Sequence, residues 1–384
     1  MTHNILNRAQ APEYHQITSV KIPNIEQCAL SNGIECHILR GGSQELVSID
    51  LMFDAGSSAA EMLVAQLTNT MLSNGTEHHT ARHIADTFDF YASDFRTELN
   101  KDSAIVGLMC LNKYLDKLLP LFCEILQESV FAESELAIVV GERKHELAEN
   151  LQKTPYLARL YMYEQLFDNH PYGRHATPAD YDAVSSQMLR QFFTTHYHAG
   201  NCKLMLSGNI TNSVMQQIDA SIGQLAGRQK PDSPIVSVAP LSTSIYKSIR
   251  KADAVQTSMR LGLHTIGMDH PDFHKLNMLT TILGGYFGSR LMSNIREEKG
   301  YTYSIYAMLT PMKQASIMQI AGDIKSGCAE KVAHEIDAEI ERLRTEPVSE
   351  QELTIVRNYM MGEMLQHFDG PLASADSISK IVEL

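Results

Sequence analysis

Five short stretches hold side chains whose types and spacing could do chemistry. In the first, Gln66 and Thr70 stand four residues apart, with Asn69 just before the second. Positions i and i+4 share one helix face. Histidines at such a pair can grip a zinc ion, and a glutamate between them can take a proton from metal-bound water. Here all three residues are neutral. Amides and hydroxyls are poor zinc ligands beside imidazole or thiolate, and Asn69 cannot act as a general base. The stretch reads instead as an amphipathic helix burying Leu63, Leu67 and Met71.

The second stretch is an acidic helix. Glu142 and Glu149 are two turns apart on one face, with His145 one turn from each. A carboxylate–imidazole site and a solvated face both fit, and Arg143 with Glu146 at i, i+3 fits the latter. The third is Glu77, His78, His79 and His83, where His79 and His83 have ligand spacing but no third ligand follows; surface histidines account for them. The fourth, Gly284 to Leu291, is glycine-rich but lacks a P-loop lysine and follows a helix, so a sharp bend explains it better than a phosphate cradle. The fifth runs from Arg296 to Tyr303. A short helix presents Arg296, Gly300 breaks it, and Tyr303 opens a strand. A guanidinium and a phenol brought together could hold a peptide carbonyl or its oxyanion. A surface arginine paired with Glu297 or Glu298 fits the same spacing.

The elements around these stretches occur in two series. Pro12 and Pro23 keep the lead-in extended. A hairpin turns at Ser31-Asn32-Gly33, and strands are expected at Leu46–Phe53, Ala104–Cys110 and Lys203–Ser207. Helices are expected at Ala59–Ser73, Thr80–Tyr91, Leu111–Ser129, Glu133–Leu151, Pro155–Phe167 and Met188–Tyr197. Residues 223–244, with Gly227, Pro231, Pro234 and Pro240, form the expected linker. A similar order then restarts: strand Gln256–His264, helices Pro271–Leu283 and Ser289–Glu298, strands Tyr301–Thr310 and Ser316–Ala321, and helices Glu330–Arg344 and Glu350–Leu365. This order points to a distant duplication. The expected domains are 1–222 and 245–384, the second shorter and lacking counterparts of the first's last elements.

Bulk properties exclude several classes. At 384 residues two domains are the default. A formal charge of −13 argues against nucleic-acid and anionic-membrane surfaces. No apolar run reaches the roughly 18 residues needed to span a bilayer. The N-terminus lacks an apolar signal core, and the six cysteines have no C-x-x-C spacing, which together lead to the expectation of a cytoplasmic protein with free thiols.

From Ile25 to Leu365 the chain resembles the pitrilysin/insulinase family of zinc peptidases, those with the inverted His-x-x-Glu-His motif. The resemblance rests on the order of Leu30-Ser-Asn-Gly-Ile, Asp54-Ala-Gly-Ser, Met71-Leu-Ser-Asn-Gly-Thr, His170-Pro-Tyr-Gly-Arg, His196-Tyr-His-Ala-Gly-Asn, Gln256-Thr-Ser, and Gly288-Ser-Arg-Leu through Tyr303. It implies an α+β fold of two duplicated α/β-roll half-units, each a mixed, mainly antiparallel sheet with helices on one face. It implies that Gln66, Asn69 and Thr70 replace the zinc motif, that Glu149 matches the distal ligand and Glu142 an acidic residue before it. It implies further that Arg296 and Tyr303 bind substrate. The chain then resembles the non-catalytic subunit of a two-chain metalloendopeptidase, inactive alone. It would carry no cofactor itself, with zinc on a homologous partner and a peptide as substrate. A homodimer in isolation, a purely structural or peptide-binding module, and an enzyme active alone through Glu149 and His145 are the competing expectations.

Overall fold

The computed structural model describes Ala11, residues 17–59, 62–231, Val238 and residues 245–383. Pro12, and Pro234 and Pro240 of the expected linker, lie outside the described residues. Among these residues nine strands form two sheets: β1 Glu26–Ala29, β2 Glu35–Arg40, β3 Leu46–Phe53, β4 Asp94–Leu99, β5 Ala104–Leu111, β6 Cys202–Gly208, β7 Gln256–Thr265, β8 Thr302–Pro311 and β9 Ser316–Lys325. The first sheet has the order β1-β2-β6-β3-β5-β4, and the second β7-β9-β8. Only β2 and β6 run parallel; every other pairing is antiparallel. The expected α+β class is therefore the observed one.

Among the described residues twelve α-helices accompany the strands. Those of the first unit are α1 Met62–Thr70, α2 Ala81–Phe90, α3 Leu115–Glu128, α4 Glu133–Asn150, α5 Thr154–Phe167, α6 Pro178–Ala183, α7 Ser186–His196 and α8 Asn212–Ser221. Side chains at their starts set several boundaries: Thr80, Ser185 and Thr211 each accept a backbone N–H of the first turn. The second unit has α9 Phe273–Thr280, α10 Ala329–Thr345 and α11 Glu350–His367, and α12 Gly370–Glu383 ends the described chain. The sequence β3-α1-α2-β4-β5-α3-α4 is matched by β7-α9-β8-β9-α10-α11, with π-helical turns at residues 281–285 and 292–298 where the first unit has a second α-helix.

One face of the first sheet carries the main core. Val47, Ile49 and Leu51 of β3 and Val106 and Leu108 of β5 pack under Leu67, Leu118, Phe122 and Leu189. The other face is not bare. Leu39, Met52 and Met205 are covered by Ala375 and Ile378 of α12, and Lys203 Nζ donates to the Val382 carbonyl at 2.9 Å. Both faces of β3 are thus closed, which is why seven of its eight residues are buried.

The two units meet along a seam. Helix α5 lies against β7, with Ser258 Oγ 2.9 Å from Thr154 Oγ1 and His264 Nε2 2.8 Å from the Leu166 carbonyl. The β8–β9 turn, residues 312–315, reaches into the first unit. There the Lys313 backbone N–H donates to Asp102 Oδ2 at 3.0 Å and the Gln314 N–H to the Tyr172 hydroxyl at 3.2 Å. The Tyr172 hydroxyl in turn donates to Asp102. The ammonium groups of Lys230 and Lys313 both pair with Asp54. Burial works against the Asp54 charge, but these two lysines outweigh it and hold the carboxyl below its usual range.

Candidate functional site

Arg296 and Tyr303 come together. Arg296 sits in the π-helical turn Met292–Glu298, and Gly300 follows with φ +61°, a left-handed conformation that glycine takes without a Cβ penalty. The reversal brings the Arg296 guanidinium to 4.9 Å from the Tyr303 ring centroid, with the Phe287 ring 4.7 Å away. Its Nε lies 3.3 Å from Glu297 Oε1, the ion pair that the surface reading of this arginine expects. That contact leaves the two terminal amino groups as donors. Tyr303 is 79% exposed, so its phenol faces outward.

The glycine-rich bend beside it is a packing device. A Cβ on Gly284 would stand 2.5 Å from the Ala307 backbone nitrogen, so only glycine lets this turn lie against β8. Arg290 of the same bend forms a two-pronged pair with Glu352 of α11, Nε and Nη2 each 2.9 Å from a carboxylate oxygen. No phosphate role is needed for either residue.

Helix α1 is built as an ordinary core helix. Leu63 and Leu67 are buried, as is Met71 just beyond its end. Asn69 is also buried, and its Nδ2 donates to the Tyr197 hydroxyl at 3.1 Å. Tyr197 belongs to the His196-Tyr-His run and packs on Phe53 and Phe193. Burial pushes its phenol well above the ordinary range. The residues at this position do not fit a zinc ion: Asn69 is turned inward on a phenol, and Gln66 and Thr70 are neutral.

Glu149 and Glu142, the expected matches to family carboxylates, do not line the cavity next to Gln66. Both are exposed, and Glu149 Oε1 pairs instead with His145 Nε2 at 3.2 Å. The residue that shares a cavity with Gln66 is Glu146, and Arg143 holds its carboxylate at 2.7 Å. The competing site of Glu149 and His145 therefore lies away from Gln66 and Thr70. His79 is held by Glu124, with 2.8 Å between Nδ1 and Oε1, and stacks on His83 at 4.6 Å. The exposed Glu77 and His78 cluster with the half-buried Glu128 beside them.

The cavity of about 490 Å³ next to Gln66 was not foreseen from the sequence. Its walls are one stripe of α4, Arg143, Glu146, Leu147 and Asn150, and one stripe of α5, Tyr156, Arg159, Leu160 and Tyr163. Each stripe has the spacing i, i+3, i+4, i+7, which was the available signal.

Matches to known proteins agree with this architecture. Residues 39–179 match the family model described as insulinase (peptidase family M16), and residues 183–360 match the M16 inactive domain. The chain belongs to the insulinase (M16) family, as a member without the zinc-ligand set in α1. A Rickettsia felis protein named an uncharacterized zinc protease is 23% identical over 93% of this chain and 87% of its own length. A Helicobacter pylori protein named a non-peptidase homolog is 22% identical over 92% of this chain and 80% of its own. The crystal structure of a peptidase M16 inactive domain from Pseudomonas fluorescens superposes with a TM-score of 0.79 at 26% identity, covering 89% of this chain and 84% of that one. Among the described residues no helix is long and apolar enough to cross a membrane.

Proposed function

We propose that this chain is the non-catalytic, substrate-binding subunit of a cytoplasmic two-chain zinc metalloendopeptidase. Its homologous partner carries the intact His-x-x-Glu-His motif and the zinc. The observation that supports this most is the outward-facing pair of Arg296 and Tyr303, taken together with an α1 whose ligand positions are neutral. The guanidinium and the phenol are both donors. Set against a peptide bound at the partner's metal centre, they hold the scissile carbonyl and stabilise the oxyanion that forms on attack.

The test is a mixture of this chain with a partner bearing the intact motif from the same source, assayed for peptide cleavage. Arg296→Ala and Tyr303→Phe should each lower the turnover of the mixture about a hundredfold, the scale of one lost oxyanion donor. An unchanged rate in both variants would reject the assignment. The name of the Helicobacter pylori relative favours a second reading, a peptide-binding or structural module without proteolysis. That reading expects peptide binding and no turnover in any mixture.

A further inference from the structure

The chain is strongly acidic, yet the cavity between α1, α4 and α5 is lined by the opposite charge. Among the described residues, Lys101, Arg143, Arg159 and Arg174 face it from four separate segments, against the single carboxylate of Glu146. Glu146 is already taken by Arg143. Among the described residues, Lys101, Arg159 and Arg174 form no ion pair with any acidic side chain. The carboxylate nearest to Lys101 in sequence, Asp102, is engaged by Tyr172 and by the Lys313 backbone N–H. Lys101 is half-buried, while Arg159 and Arg174 stand at the rim. Burial and, less strongly, the Arg159 charge draw the Lys101 ammonium below its ordinary range, although Asp102 opposes this. A partly dry cation whose neighbouring carboxylate, Asp102, is engaged elsewhere and makes no direct ion pair with it leaves room for an anion to supply that contact.

The walls between the cations are aromatic. Arg159 lies over the Tyr156 ring at 5.6 Å and the Lys101 ammonium over Tyr163 at 5.9 Å. A volume of about 490 Å³ is in the range of ligand-binding clefts. Cations spread over several segments, with tyrosine rings between them, suit carboxylates spaced along a chain better than one compact anion.

We propose that this cavity is an anion site that takes the glutamate and aspartate side chains of an acidic peptide. The proposal deepens the peptide-binding reading by naming the charge of the peptide, and it rests on that reading only for the ligand being a peptide. The net charge of this chain repels such a peptide at long range, so its capture depends on the local cations and weakens with salt.

The test is fluorescence anisotropy of the full chain with a labelled glycine-flanked tetraglutamate peptide, beside the same peptide with glutamines. The glutamate peptide should bind at least about tenfold more tightly. Lys101→Met and Arg159→Ala should each weaken it about tenfold, the scale of one charge-assisted hydrogen bond. Circular dichroism verifies that both variants are folded, and Arg174→Gln on the rim loop repeats the measurement should either one unfold. Inorganic phosphate at equal charge concentration should compete poorly. Equal binding of the two peptides, unchanged affinity in the folded variants, or full displacement by phosphate would overturn the proposal. Its failure is separable from that of the Arg296 assignment, which is scored by cleavage in the two-chain mixture and uses no cavity variant.

Discussion

Asp54→Asn measures what the seam contributes. The substitution keeps the shape of the side chain and its backbone contacts but removes the charge shared by Lys230 and Lys313. The Asp54 side chain is 31% exposed, Lys313 30% and Lys230 56%. Exposed ion pairs are worth about 0.2–1 kcal/mol, and removing one partner of a fully buried pair costs about 3–5 kcal/mol. Asp54 lies between these limits, so the Lys230 pair contributes about 0.5 kcal/mol and the better-shielded Lys313 pair about 1.5 kcal/mol on those scales. The expected loss at pH 7 is about 2 kcal/mol. Its pH dependence follows from the depressed carboxyl of the folded state. The unfolded chain takes up the proton first as pH falls, so the contribution is full above the ordinary aspartate value of about 4 and disappears as pH drops through the folded value. Urea titration followed by far-ultraviolet circular dichroism suits a chain without tryptophan. The variant should be less stable at pH 7, and its deficit should shrink progressively as pH falls below about 4. Equal stability at pH 7, or a deficit that persists undiminished in acid, would refute this account of the seam.

Asp50, four residues earlier on β3, moves the other way. Burial raises its carboxyl to about 6 despite Arg96 at 2.7 Å and the Ser48 hydroxyl. Its ionisation therefore erodes stability as pH rises from about 4 to about 6. Asp50→Asn should stabilise the fold by about 1–2 kcal/mol at pH 7, because Arg96 keeps Glu98 as a partner. The gain should vanish near pH 4 in the same urea titration. Arg290→Ala strips the half-buried Glu352 of its two-pronged partner and should lose about 3 kcal/mol. Arg290→Lys should recover less than half of that in thermal melting, since an ammonium cannot reproduce the fork.

Much of the fold was legible because it rests on local signals. The Asn32-Gly33 turn, the apolar runs of β3 and β5 and the capping residue Thr80 each mark an element by themselves. The Arg296–Tyr303 pair was legible because Gly300 forces a reversal between them. Strand β4 was missed: Asp94–Leu99 is an edge strand with half-exposed residues, so it lacks an apolar face to read. For Glu149 no reference direction was legible. The buried Leu147 fixes the inner side of α4, and at about 100° per residue Glu149 lies some 200° round from it, whereas Arg143 and Asn150 stay within about 60°. The cavity cations come from several segments, and no one stretch of sequence announces their convergence.

Helix α12 gives the molecule the character of a belt fastened to its own buckle. The chain leaves the first sheet, builds the second, and returns to clamp the back of the sheet where it began. A single tryptic cut at the exposed Lys247 or Arg250 should therefore nick the polypeptide without parting it. The two fragments would co-elute until denaturant loosens Ala375 and Ile378 from Leu39, Met52 and Met205.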